Sequence, residues 1–128
     1  MNVKAILDDK GTDVATIGPT AAVASAVDLL AQRGLGALVV VGAGLRVIGI
    51  ISEQDIVRVL AQRGATALAQ PVGQVMKRNV ATCNRAEMLS SVMRRMTAGK
   101  FRHLPVVERN QLIGVVSIGD VARVIRAP

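Results

Sequence analysis

Apolar residues recur along this chain with the spacing of amphipathic helices. In two segments they stand at positions i, i+3, i+4 and i+7, which places them on one face of a helix. Gly34 and Gly99 follow these segments, where a helix commonly ends in a residue with positive φ. The first apolar stripe consists of Val23, Ala26, Val27 and Leu30, and the second of Leu89, Val92, Met93 and Met96.

Each predicted helix is preceded by a short extended piece and followed by two short apolar runs. The runs cover residues 38–41 and 47–51 in the first half, and 104–107 and 112–116 in the second. Glycine-rich or polar turns separate the runs within each half, so we predict two β-hairpins. A further helix should begin near Ser52 and near Ser117. Since the runs are almost continuously apolar, both faces of each sheet should be covered.

The two halves are copies of one pattern. Residues around the second predicted strand correspond with a shift of 65, whereas residues before the hairpin turn correspond with a shift of 66. One residue is therefore missing from the second turn, where deletions are well tolerated. We predict an α/β chain of two tandem β-α-β-β-α repeats, residues 1–65 and 66–128. The matched pairs include Thr16 and Thr82, Leu38 and Leu104, Gly49 and Gly114, Ser52 and Ser117, and Asp55 and Asp120.

Composition limits the classes of protein that fit. The chain has 128 residues, 51% of them hydrophobic, and a mean hydropathy of +0.43, which excludes a disordered chain. No apolar run approaches the roughly 20 residues of a membrane-spanning helix. The first residues lack the features of a signal peptide, and Cys83 is the single cysteine. We therefore expect a cytoplasmic protein with no membrane partner and no disulfide framework.

Positive charge is concentrated in the second half. Residues 1–65 contain six basic and six acidic residues, whereas residues 66–128 contain ten basic and three acidic ones, so the net charge of +7 falls entirely there. A one-sided basic field attracts phosphates, nucleic acid or an acidic protein. A merely solvated basic surface explains the charge equally well.

The strongest local motif is Gly-h-h-Ser-x-x-Asp, where h is hydrophobic. It runs from Gly49 to Asp55 and again from Gly114 to Asp120. A serine followed three residues later by an acid resembles a helix-capping box, and this structural explanation is slightly favoured for each copy alone. The functional alternative is that the turn holds a phosphate on its N–H groups while the carboxylate accepts ribose hydroxyls.

Catalytic and metal-binding patterns are missing from the sequence. His103 is the only histidine, and with one cysteine and few acids no conventional metal cluster or Cys–His nucleophile can be assembled. We therefore expect no catalytic cofactor, no metal site and no enzymatic activity.

The duplicated order of strand, helix, h-P-V-V strand, turn, Gly-h-h-Ser-x-x-Asp and helix resembles a pair of CBS domains. The resemblance covers about residues 3–125 and implies two repeats packed about a pseudo-two-fold axis, with two equivalent clefts. It also implies adenosine-containing ligands: AMP, ADP, ATP, NAD(H) or S-adenosylmethionine. A homodimer and a regulated enzyme acting in trans are further implied partners.

The resemblance also assigns roles to residues of both repeats. Asp55 and Asp120 would bind ribose hydroxyls, with Ser52 and Ser117 near ribose or phosphate. Thr16 and Thr82 would help to hold the base, and Arg102 belongs to a basic cluster suited to phosphate. The adenine slot would be formed by Ala37, Leu38, Ile50, His103, Leu104, Pro105 and Val115.

In this family a cleft combines the Ser-x-x-Asp of one repeat with strand residues of the other. Asp55 would then share a site with Thr82 and His103, and Asp120 with Thr16 and Leu38. The first repeat lacks the histidine, proline and basic cluster of the second, so we expect the Asp55 cleft to be the stronger phosphate site.

Two other functions remain as alternatives. A nucleic-acid binder would use the basic second half, but Phe101 is the only aromatic residue and cannot supply a stacking platform. A protein-interaction scaffold with empty clefts would need no ligand. A regulatory module that senses an adenosine nucleotide is the favoured function.

Overall fold

A computed structural model describes residues 1–11 and 14–126 and shows a mixed α/β chain. Its helices are α1 (Val3–Lys10), α2 (Val23–Arg33), α3 (Glu53–Arg63), α4 (Leu89–Gly99) and α5 (Ile118–Arg126). Its strands are β1 (Thr16–Ile17), β2 (Ala37–Val41), β3 (Val47–Ser52), β4 (His103–Glu108) and β5 (Gln111–Ser117). The predicted helices and hairpins of both repeats are confirmed.

The described chain divides into two compact units. One unit consists of residues 15–80, and the other combines residues 1–14 with residues 81–128. The sequence repeats meet between residues 65 and 66. Each compact unit instead combines most of one repeat with the segment that precedes the other repeat. Helix α1 therefore packs in the unit of the second repeat, and residues 64–80 pack with the first.

The unit of residues 15–80 contains a three-stranded sheet in the order β1-β2-β3. β1 is parallel to β2, and β2 is antiparallel to β3. The apolar stripe of α2 covers this sheet, with Val23 and Ala26 fully buried beside Leu38 and Ile51. Val72, from the segment after α3, is also fully buried in this core.

The second unit repeats this arrangement with a shorter first strand. β4 and β5 form the antiparallel hairpin, and Cys83 forms a single parallel bridge to Val106 in place of a full strand. Helix α1 contributes Val3, Ile6 and Leu7 to the core. Sequence analysis did not identify α1, because these residues gain their burial from a repeat that lies far along the chain.

The hairpin turns account for the missing residue. Val41 pairs with Val47 across the first turn, and Val107 pairs with Leu112 across the second, which is one residue shorter. Arg109 and Asn110 both have positive φ, as a two-residue turn that matches the twist of a hairpin requires.

The predicted role of Gly99 at a helix end is wrong. Gly34 does end α2 in the left-handed conformation, but α4 continues through Gly99, and Lys100 adopts the left-handed conformation instead. A side chain at position 99 would collide with the ring of Phe101. Gly99 is therefore required for space and not for its backbone freedom.

The motif glycines Gly49 and Gly114 occupy equivalent positions in β3 and β5. Gly49 is covered by the segment that contains Met76, and Gly114 is covered by α1. A Cβ at Gly49 would lie 2.5 Å from Met76 Sδ and 2.8 Å from the Lys77 main-chain oxygen. At Gly114 the nearest atom would be Leu7 Cδ2, at 2.7 Å. A leucine methyl can rotate away, whereas the Lys77 oxygen is held in a β-bridge to Ile50.

We predict that Gly49→Ala destabilises the protein more than its matched control Gly114→Ala. Overpacking against fixed main chain costs about 2 to 3 kcal/mol, and the Leu7 contact should cost about 1 kcal/mol or less. Urea denaturation of both variants measures the difference. Equal losses of unfolding free energy would contradict this account of the two glycines.

Candidate functional site

The first Ser–Asp turn is built where β3 passes into α3. Ser52 is the N-cap of α3, and its main-chain N–H and its hydroxyl each donate to Asp55 Oδ2 at 2.9 Å. The Asp55 N–H donates back to Ser52 Oγ at 3.2 Å. The structural interpretation of the motif is thus confirmed, because a complete capping box is present.

The second turn has the same main-chain geometry. The Ser117 N–H donates to Asp120 Oδ2 at 2.9 Å, and the Asp120 N–H donates to Ser117 Oγ at 3.1 Å. Both acids therefore stand in the first turn of a helix, where the helix dipole favours negative charge.

The two carboxylates differ in the cations around them. Asp55, of which only 3% of the side chain is exposed, has Arg58 at 3.5 Å and Lys77 at 3.8 Å from its Oδ1. Lys10 Nζ lies 2.8 Å from Asp120 Oδ2 and also donates to the Val115 carbonyl at 3.1 Å. Burial alone would raise the pKa of Asp120, but hydrogen bonds from Lys10 and Ser117 outweigh it and hold that pKa below its ordinary value.

Strand pairing places the predicted base-binding residues of each repeat in one row. Thr16 pairs with Val39, and Val39 pairs with Ile50. In the second repeat Pro105 pairs with Val115, and the Pro105 carbonyl accepts the Cys83 N–H beside Thr82. In each row a residue of the middle strand, Val39 or Pro105, lies between the threonine or its neighbour and the residue two before the serine.

The residues that begin β2 and β4 lie next to the serines. Ala37 pairs with Ser52, and His103 pairs with Ser117. Leu38 and Leu104 are fully buried in the two cores, so they can line a slot only through their main chain. Arg102 is exposed, and its carbonyl accepts the N–H of Ile118 at the start of α5.

Arg95 holds the main chain at Thr82. Its guanidinium donates to the Glu87 carboxylate at 2.7 Å and to the Thr82 carbonyl. Burial, with a smaller contribution from Glu87, raises the pKa of the neighbouring Cys83 thiol to about 12, so the thiol is protonated at neutral pH. Cys83 is a free, buried cysteine and packs as a small apolar group.

Sequence analysis missed Lys10 and Lys77, the lysines that approach the two acids. Each belongs to the segment before a repeat, and these segments are themselves related. Val3, Ile6 and Leu7 correspond to Val72, Val75 and Met76 with a constant shift of 69. The shift does not align the lysines themselves, since Lys10 corresponds to Asn79 and Lys77 to Asp8, so this correspondence does not single them out.

Membrane and metal chemistry find no support in the described part of the chain. None of its helices is long and apolar enough to cross a membrane. Within residues 1–11 and 14–126 no group of three or more His, Cys, Asp or Glu side chains could hold a metal ion.

We predict that Lys10→Met raises the pKa of Asp120 toward that of a free aspartate. Because the folded pKa lies below the unfolded value of about 3.9, the ion pair adds stability above that pH and loses it as Asp120 becomes protonated. The destabilisation by Lys10→Met should be greatest above the unfolded pKa and fade as the pH falls through the lowered folded pKa of Asp120. Carboxyl NMR titration and urea denaturation measure both effects.

Lys4→Met is the matched control, because Lys4 forms an exposed ion pair with Asp8 on the same helix. An unchanged Asp120 pKa in Lys10→Met would show that the ion pair is not formed in solution.

The chain matches known proteins over nearly its whole length. The CBS domain model matches it twice, at residues 3–62 and 72–127. The CBS domain-containing protein YhcV of Bacillus subtilis is 30% identical over 120 residues, which cover 94% of this chain and 84% of that protein.

Solved structures of CBS-domain proteins resemble this chain in fold over nearly its whole length. The CBS-domain containing protein ATU1752 from Agrobacterium tumefaciens has a TM-score of 0.93 and 41% identity, over 98% of this chain and 99% of that one. The CBS domain pair of protein MJ0100, in complex with 5′-methylthioadenosine and S-adenosyl-L-methionine, has a TM-score of 0.87 and 25% identity, over 98% of this chain and 95% of that one. This chain belongs to the CBS-domain family and carries a tandem pair of CBS repeats.

Proposed function

We propose that this chain is a regulatory module that binds an adenosine-containing ligand at its Ser–Asp turns. Support comes from the complex of the MJ0100 CBS pair with two adenosine compounds. AMP, ADP, ATP and NAD(H) share the adenosine part of these ligands. The expected role is regulatory and not catalytic.

One feature of the two carboxylates carries this proposal. Asp55 accepts its hydrogen bonds from Ser52 on Oδ2, and Asp120 accepts those from Lys10 and the Ser117 N–H on the same oxygen. The cations near Asp55 Oδ1 lie at 3.5 and 3.8 Å, beyond good hydrogen-bond length. Oδ1 thus keeps acceptor capacity in both turns, and we propose that a ribose hydroxyl uses it, at Asp55 after the exposed Arg58 and Lys77 side chains move aside.

The surrounding residues suit the remainder of a nucleotide. Ile50 and Val115, each two residues before the serine, are partly exposed apolar residues beside the turns. Lys77 and Arg58 add positive charge near Asp55, which suits a phosphate. The sharing of each turn with strand residues of the other repeat stays a prediction.

Ligand binding can regulate a partner only if the ligand binds one state of the module more tightly than another. The partner then changes the affinity for the ligand by the same factor. A homodimer and a regulated enzyme in trans remain our expectation for these partners. Light scattering with and without AMP gives the oligomeric state directly.

A nucleic-acid partner is less favoured by the distribution of charge. Several basic residues of the second repeat are neutralised by acids within the same unit. Arg85 pairs with Glu108, Arg95 with Glu87 and Arg123 with Asp9. Part of the positive charge of the second half is thus paired with acids within the same unit.

We predict that Asp55→Asn weakens AMP binding more than Asp120→Asn does. A hydrogen bond to a charged group contributes about 1.5 to 3 kcal/mol, so losing the Asp55 acceptor should reduce affinity about 10- to 100-fold. Isothermal titration with AMP, NADH and S-adenosylmethionine measures each variant.

The control is Glu53→Gln, which removes an exposed negative charge from the same helix turn and leaves Asp55 in place. Unchanged affinity in Asp55→Asn, together with lost binding in Asp120→Asn, would reverse our ranking of the turns. Failure of every adenosine compound to bind would reject the proposed function.

A further inference from the structure

We propose that Lys10, the last residue of α1, weakens ligand binding at the Asp120 turn, because its ammonium is ion-paired with the Asp120 carboxylate. The inference rests on the proposed function and explains why the two turns should differ in affinity. The Lys10 ammonium is hydrogen-bonded to Oδ2 of Asp120, so a ribose hydroxyl on Oδ1 meets a carboxylate whose charge the lysine already compensates.

The Lys10 ammonium is held by two hydrogen bonds. Its ammonium lies 2.8 Å from Asp120 Oδ2 and 3.1 Å from the Val115 carbonyl oxygen. Its side chain is 35% exposed and that of Asp120 is 14% exposed, so the pair is partly shielded from water. Two hydrogen-bonded acceptors fix the ammonium in one place.

At the Asp55 turn the nearest cation is Arg58, whose Nη1 lies 3.5 Å from Oδ1 and whose side chain is 60% exposed. There the second hydrogen bond to Oδ2 comes from the hydroxyl of Ser52, at 2.9 Å. The ammonium of Lys77 is 3.8 Å from Oδ1, and the Lys77 side chain is 56% exposed. Asp120 therefore accepts a hydrogen bond from a lysine ammonium, whereas the cations near Asp55 lie beyond good hydrogen-bond length.

The reason for this difference lies in the segments before the repeats. Lys77 pairs through its main chain with Ile50, with N···O distances of 2.9 and 3.1 Å, and so uses both polar groups of that strand residue. Helix α1 stays helical up to Lys10. In the second repeat Lys10 reaches Val115, the residue equivalent to Ile50, through its side chain and not through its main chain. The same ammonium also contacts Asp120.

The contact lowers what a ribose gains at Asp120. A hydrogen bond to an ionised acceptor is about twice as strong as one between neutral groups, and an ammonium at contact distance compensates that charge. A neutral adenosine therefore binds a carboxylate that is already neutralised. Removing the ammonium restores a charged acceptor and frees the Val115 carbonyl.

The test uses adenosine, which has no phosphate that Lys10 could attract. An Asp55→Asn background isolates the Asp120 turn, and isothermal titration compares Lys10→Met with the control Lys4→Met. We expect Lys10→Met to tighten adenosine binding about three- to fivefold, the scale of a partly exposed ion pair, and Lys4→Met to change nothing. If Asp55→Asn does not fold, the weaker of two binding steps in the otherwise unaltered chain is followed instead.

Salt gives an independent readout of the same contact. Raising the ionic strength from about 0.05 to 0.5 M screens the ion pair and should tighten adenosine binding at Asp120 when Lys10 is present. Lys10→Met should lose this dependence. Unchanged or weaker binding in Lys10→Met would overturn the proposal, since Lys10 would then be neutral or a ligand contact. Failure of the proposed function looks different, because no variant would bind adenosine, and Lys10 would then have no ligand to oppose.

Discussion

The geometry of both candidate sites depends on one hydrogen bond, from the main-chain N–H of the serine at the strand end to Oδ2 of the aspartate three residues later. Its length is 2.9 Å in each repeat. The bond completes a capping box, so it fixes the direction in which the helix leaves the strand. It also immobilises the carboxylate and leaves the second oxygen available. The helix cap and the proposed ligand site can therefore both follow from one arrangement, so the capping interpretation of the motif does not exclude the functional one.

Elements with local causes could be predicted from the sequence. The stripe that contains Val23 and Ala26 is sufficient to define α2, and the apolar runs with their turns define both hairpins. Helix α1 could not be found in this way, because its eight residues are stabilised by a core more than 75 residues away. The contact between Lys10 and Asp120 joins residues 110 positions apart, so no spacing rule indicates it.

The duplication produces two turns that have the same main-chain geometry but differ in the cations near their carboxylates. Asp55 is almost fully buried, with cations at a distance, whereas Asp120 is in direct contact with Lys10. The difference follows from how each preceding segment meets its strand, through main chain at Ile50 and through a side chain at Val115. A repeat can thus diverge in affinity without any change in its motif residues.

The most direct test of the central claim is an NMR titration of the Ser52 and Ser117 amides with adenosine. These N–H groups donate to the two carboxylates, so a ribose on either acid must change their chemical shifts. Our account predicts saturable shifts at both serines, with Ser52 saturating at the lower adenosine concentration. Shifts confined to other parts of the chain, with both serines unchanged, would contradict it.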